Sequence, residues 1–236
     1  MSIHIYVYGS PGSGKSVFSA ALAKAAMTEN KRAIIVSGDM VIPMLPFFCG
    51  YSDITGLGEL CKGEITAQTV AGSVKLMKEY PDIGVMGLQF DDEPLCITAE
   101  QLQKIAKRLD ELVDIVIWDG TSDIDSTFAR TILPVSDVQI CILTADRKGI
   151  LYFENYREII KANDKCILLE GLAKPYSPYE EMHVRTGGLK GRLYYGKEIE
   201  KVCMEGNIFS VDDVCHESYR TLSEKILKQA INRKEA

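Results

Sequence analysis

Gly9-Ser10-Pro11-Gly12-Ser13-Gly14-Lys15-Ser16 decides the reading of this chain. It satisfies G-x-x-x-x-G-K-[ST], a pattern whose elements each have a physical purpose. Glycines let the backbone turn tightly enough for successive amide N–H groups to point inward at phosphate oxygens. A helix starting at Lys15 adds its unpaired N–H groups, through Val17, and its positive dipole end. Lys15 carries a charge to the outer phosphates, and the Ser16 hydroxyl is a ligand for Mg²⁺. The setting agrees. Ile3 to Tyr8, β-branched and aromatic, reads as a buried strand before the loop. Val17 to Thr28, alanine-rich with apolar residues at helical spacing, reads as a helix after it.

Outward from the loop, short apolar strands alternate with helices. Strands are expected at Ala33 to Ser37, Ile83 to Gly87, Asp114 to Trp118, Val138 to Thr144 and Lys165 to Glu170. Helices are expected at Ala67 to Tyr80, Thr98 to Leu112, Arg147 to Ala162 and Ser218 to Arg233. Thr98 and Gln101 have the spacing of a capping box. Such alternation implies an α/β fold: a single three-layer domain over 1–236, its mostly parallel twisted sheet covered by helices on both faces. Two long loops stand out, Ser37 to Gly58 and Gly171 to Gly191. Loops of that length in a compact α/β domain serve as lids or partner surfaces.

The 236 residues carry a net charge of −6, which argues against nonspecific nucleic-acid binding by the surface as a whole. The seven cysteines, at 49, 61, 96, 141, 166, 203 and 215, include no Cys-x-x-Cys and suit a reducing compartment. His4, His183 and His216 form no ligand spacing or triad. No stretch approaches the ~18 apolar residues of a membrane span, and the apolar start lacks a preceding basic region, so a cytoplasmic location is expected.

Asp119 ends an apolar run and precedes Gly120. Open α/β sheets bind ligands at the carboxyl ends of their strands, so Asp119 is expected to face the loop and hold Mg²⁺. Asp39, after the strand ending at Ser37, is a second candidate, to orient water and touch the Mg²⁺ shell, although a Gly-Asp pair also suits a plain turn.

With these residues placed, the chain resembles the MinD/ParA group of P-loop ATPases, in particular its pilus-locating CpaE/TadZ branch. The matching segments are Gly38-Asp39, Gly56-Leu57-Gly58-Glu59-Leu60 with Lys62-Gly63-Glu64, Trp118-Asp119-Gly120, and Gly191 to Gly196 with Gly206. The resemblance implies the P-loop NTPase fold and ATP or ADP with Mg²⁺. It assigns catalysis to Lys15, Asp39 and Asp119, and the metal to Ser16, Asp39 and Asp119. It places Gly9 to Val17 around the phosphates, with Leu193 and Tyr194 near the base. It also implies a nucleotide-dependent homodimer acting on a protein partner in division, partition, pilus or secretion machinery. Ser10 stands where that group carries a lysine reaching the partner's phosphate, and Pro11 where glycine is usual. A weakly hydrolysing scaffold and a phosphotransferase of the same fold are the alternatives. Residues alone leave GTP open, although the Asn-Lys-x-Asp of GTPases is missing. The last helix resembles a membrane-anchoring segment less than a closing helix packed on the sheet.

Overall fold

β-Branched and aromatic residues dominate the segments that become strands, and those strands form one sheet. The computed structural model describes residues 1–51, 56–88, 97–162, 164–211 and 217–235. Cys96, Cys215 and His216 lie outside them. The strands are β1 (Ile3–Gly9), β2 (Ala33–Ser37), β3 (Lys75–Leu76), β4 (Ile83–Met86), β5 (Ile115–Asp119), β6 (Val138–Thr144), β7 (Cys166–Ala173) and β8 (Gly191–Tyr194). Their order is β3-β4-β2-β5-β1-β6-β7-β8, with β3 antiparallel and every other pair parallel. β1 lies at the centre, paired with β5 (Val7 opposite Asp119) and with β6 (Gly9 opposite Ile142). That register brings the loop after β1 and the carboxylate at the end of β5 to one edge.

The pleat sends alternate residues of β1 to two separate cores. Ile3, Ile5 and Val7 face a layer built on α1 (Lys15–Thr28) and the last helix, α10 (Ser218–Glu235). Tyr6 and Tyr8 face the opposite layer with Trp118 and Phe128, under α5 (Ala99–Leu109), α6 (Thr127–Ile132), α7 (Arg147–Lys161) and α8 (Tyr179–Thr186). The remaining α-helices among the described residues are α2 (Met44–Phe48), α3 (Leu57–Lys62), α4 (Ala67–Gly72) and α9 (Lys197–Met204). α10 buries Tyr219, Ile226, Leu227 and Ala230 against α1 and the sheet, so its apolar face is used inside the fold. No described helix is long and apolar enough to cross a membrane.

The single helix expected over Ala67 to Tyr80 is corrected: α4 stops at Gly72, and β3 follows. Ser73 ends the helix by donating its Oγ to the Thr69 carbonyl at 2.8 Å. Val74 then packs where Gly84 has no side chain; a Cβ on Gly84 would sit 2.5 Å from Val74 Cγ1. The bare glycine lets the chain approach β4 as an antiparallel edge strand. The segment Gly171 to Gly191, expected as a loop, contains the tail of β7 and all of α8, and Ser37 to Gly58 contains α2.

The capping box of α5 forms in both directions. Thr98 Oγ1 accepts from the Gln101 N–H at 3.2 Å, and Gln101 Oε1 accepts from the Thr98 N–H at 2.9 Å. Thr98→Ala is expected to cost about 1 kcal/mol of stability. Urea denaturation checks this: the midpoint should fall while the slope stays the same.

Candidate functional site

The loop between β1 and α1 owes its shape to three glycines with positive φ, Gly9 (144°), Gly12 (71°) and Gly14 (88°). Gly9 allows no side chain, because a Cβ there would stand 1.9 Å from the Ile142 carbonyl oxygen of β6. That carbonyl accepts the Ser10 N–H at 3.0 Å and fixes the loop to the neighbouring strand. α1 then begins with no side-chain cap and no acidic residue in its first turn. Its leading N–H groups are therefore open to an anion, which the dipole end also favours. Ser13 Oγ is buried without a hydrogen-bond partner. These features fit a phosphate chain.

Lys15 extends along the loop, its Nζ donating to Ser122 Oγ at 2.9 Å and to the Ser10 carbonyl at 3.3 Å. Burial lowers its pKa, while Asp119 works in the other direction. Asp119 is buried at the end of β5. Its Oδ2 accepts from Ser16 Oγ at 2.7 Å and its Oδ1 from Ser19 Oγ at 3.1 Å. Burial pushes the carboxyl up to about 6, against the pull of Ser16, Lys15 and Ser19. Gly120 follows because a Cβ there would meet the Tyr6 ring at 2.6 Å. Ser19 was absent from the sequence-derived site. Its position one helical turn after Ser16, on the same face, is the signal that could have found it.

Asp39 lines the same cavity from the end of β2. Its Oδ1 accepts from the N–H groups of Val41 and Ile42 at 3.1 and 2.9 Å, so the carboxylate also shapes its own turn. Gly38 before it donates its N–H to the Asp119 carbonyl at 2.8 Å. The oxygens of Ser16, Asp119 and Asp39 form a hard donor set on one side of the loop, suited to Mg²⁺ completed by phosphate oxygens. No group of three or more His, Cys, Asp or Glu among the described residues could hold a metal without such help.

The cavity has a volume of about 730 Å³. Pro11 to Val17, Asp39 and Asp119 line it. Gly9 and Ser10 lie beneath the loop and do not. Ser10 is fully buried: its Oγ accepts from the Thr144 N–H at 2.7 Å and donates to Thr144 Oγ1 at 3.2 Å. Thr144 Oγ1 in turn donates to Asp146, the residue that caps α7. Leu193 and Tyr194, expected near a base, are not on the cavity wall. Leu193 is buried in the α1-side core, and the residue after them, Tyr195, takes the place on the wall. Tyr195 follows Tyr194, the last paired residue of β8, so it lies past the end of the strand. Met44 and Phe48 of α2, Leu172 of β7, and Ile199 and Cys203 of α9 complete an apolar wall that no motif in the sequence marked.

Because the Asp119 carboxyl titrates at about 6 in the folded chain against an ordinary 3.8, the fold holds this proton more tightly than the unfolded chain does. Its contribution is most favourable below pH ~4 and is lost as pH rises through about 6. Asp119→Asn is therefore expected to raise the stability of the nucleotide-free protein in EDTA at pH 7 by on the order of 2 kcal/mol. Thermal melts of both proteins from pH 4 to 8 check this; a gap that does not widen through pH 6 contradicts it.

No protein-family model matches the chain, and no curated protein matches it. Solved structures do. The septum site-determining protein MinD of Pyrococcus horikoshii, complexed with Mg-ADP, superposes with a TM-score of 0.79 at 16% identity, covering 98% of each chain. A ParA family ATPase from Chlorobium tepidum gives 0.77 at 15%, again over 98% of each. A chain of the MinC:MinD cell division protein complex of Aquifex aeolicus gives 0.73 at 13%, over 99% of this chain and 96% of that one. By these superpositions over nearly its whole length, this chain has the fold of the MinD and ParA structures.

Proposed function

We propose that this chain binds a nucleoside triphosphate with Mg²⁺ and hydrolyses it slowly, as a MinD/ParA-like switch of the CpaE/TadZ type that positions other cellular machinery. The observation that carries the reading is the uncapped start of α1, with Lys15 and the Ser16–Asp119 pair converging on it. Amides at the loop and the first turn of α1 hold the phosphates. Lys15 exchanges Ser122 and the Ser10 carbonyl for the outer phosphate. Ser16 and Asp119 would hold Mg²⁺, with Asp39 beside them, and the ion neutralises phosphate charge when bound. Asp39 orients the attacking water once its carboxylate turns from the Val41 and Ile42 amides.

Ser10 favours the weakly hydrolysing version of this reading. Its side chain is turned into the fold, so this loop offers no cation to a second subunit. Stabilisation of the departing phosphate then falls to Lys15 and the loop amides of the same chain. The switch still works through nucleotide-dependent pairing of two copies and a protein partner. The Mg-ADP and MinC complexes of the MinD structures support this by likeness of fold. A cytoplasmic location and a single domain over 1–236 go with it.

Calorimetric titration with a nonhydrolysable triphosphate tests binding directly. Lys15→Ala is expected to weaken it by about 100-fold, as loss of a charge-assisted contact in a buried site does. Asp39→Asn keeps an oxygen for the Val41 and Ile42 amides but loses the charge. It should leave affinity within about threefold and lower phosphate release by about tenfold or more. Light scattering decides the switch: an unchanged monomer mass with ADP and with the analogue would remove pairing from the proposal.

A further inference from the structure

We infer that the nucleoside end of the cavity selects its base by shape rather than by hydrogen bonds, so that adenine and guanine triphosphates bind with nearly equal affinity. The inference rests on the reading that the cavity binds a nucleoside triphosphate. Phosphates on the loop and the start of α1 leave the apolar remainder of the cavity for the nucleoside. Val17, Phe48, Leu172, Ile199, Cys203 and Met204 wall that remainder. None of these side chains can tell an amino group from a carbonyl on a purine edge.

The end of β7 is where a strand of this sheet could present a polar side chain beside the loop, and it presents none. Glu170 is fully buried, and its Oε2 accepts from Arg192 Nε, which turns the carboxylate away from the cavity. The Arg192 guanidinium lies over the Tyr179 ring at 4.5 Å, holding the pair on the α8 side. Gly171 has no side chain, and a Cβ there would meet the Ser13 carbonyl at 2.2 Å. Leu172 comes next, at φ 51°, where the ladder to β8 shifts register. That left-handed backbone, uncommon for leucine, turns an isobutyl group to the cavity, 3.5 Å from where a Cβ of Gly14 would stand.

Among the described residues, two polar side chains reach the nucleoside end, and they bond to each other. Tyr195 Oη donates to Glu200 Oε1 at 2.5 Å. The Tyr195 N–H is likewise engaged, with the Ala173 carbonyl at 2.9 Å. Lys174 lies over the Tyr195 ring, 4.9 Å from its centroid, and lines only an adjoining hollow of about 350 Å³.

A site built to hydrogen-bond a substrate rejects the wrong partner by about 10⁴-fold or more, because its own buried groups are left unpaired. An apolar slot has no such penalty to impose. Adenine and guanine share the same bicyclic area and differ only at their edges, so packing treats them alike. A pyrimidine offers less area and is held less well.

Calorimetry of the full chain with Mg²⁺ and the imido analogues of ATP, GTP and CTP tests this. The two purine dissociation constants are expected to agree within about threefold, with the cytosine analogue about tenfold weaker. A preference of tenfold or more for either purine overturns the inference while leaving the proposed function standing. Binding of none of the three overturns the proposed function itself. Leu172→Asn suits the left-handed backbone and restores a polar group at the strand end. It is expected to separate the purines by about tenfold; an unchanged ratio would overturn the assignment of base selection to this position.

Discussion

The buried carboxylate of Asp119 is the constraint on which the rest of this site depends. It ties the end of β5 to the start of α1, accepting from Ser16 and Ser19 and lying near the charge of Lys15. Holding a carboxylate there raises its pKa to about 6, which represents on the order of 2–3 kcal/mol at neutral pH. The fold tolerates that cost because two hydroxyls donate to it and a cation lies nearby. A cation bound at the loop would lower the cost further, so the site stores a preference for a metal-loaded state.

Ser10 has a different logic from the rest of the loop. A lysine at this position would need a route to solvent, yet the residue here is fully buried and satisfied twice by Thr144. Through Thr144 Oγ1 and Asp146 the loop is fastened to the N-terminus of α7, where Asp146 caps the Lys148 and Gly149 amides. What a mobile arm would offer in reach, this serine offers in rigidity. The loop becomes a fixed cradle whose position follows β6 and α7, consistent with a protein that holds nucleotide firmly and turns it over slowly.

Much of this was legible in the sequence because the signals are local. The eight residues from Gly9 carry their own turn geometry, and the apolar runs from Ala33 and from Val138 match β2 and β6 to the residue. Asp119 was legible because a carboxylate at the end of a buried strand has one edge to face. What escaped depends on distant partners. The break after Gly72 needs Gly84, on the neighbouring strand, to accommodate Val74, and no proline or glycine between Gly72 and Tyr80 marks it. β8 is short and half-polar, since Arg192 faces Glu170 rather than the core. Tyr195 lines the cavity where Leu193 and Tyr194 do not because it comes after the last paired residue of β8, and where that strand ends is set by its pairing with β7. The apolar wall as a whole was not legible, because α2, β7 and α9 are far apart in sequence and meet only in the folded chain.

That wall owes its shape to a contact between main chains. α2 follows Asp39 in the chain, and α9 follows β8. They meet through Gly50 and Gly206, both left-handed (φ 72° and 71°), where a Cβ on Gly206 would stand 2.5 Å from Gly50 Cα. Backbone packed on backbone leaves no side chain to absorb a displacement. The two helices are therefore set against each other by main chain rather than by side-chain packing, and the apolar wall takes its spacing from two glycines that lie outside the cavity.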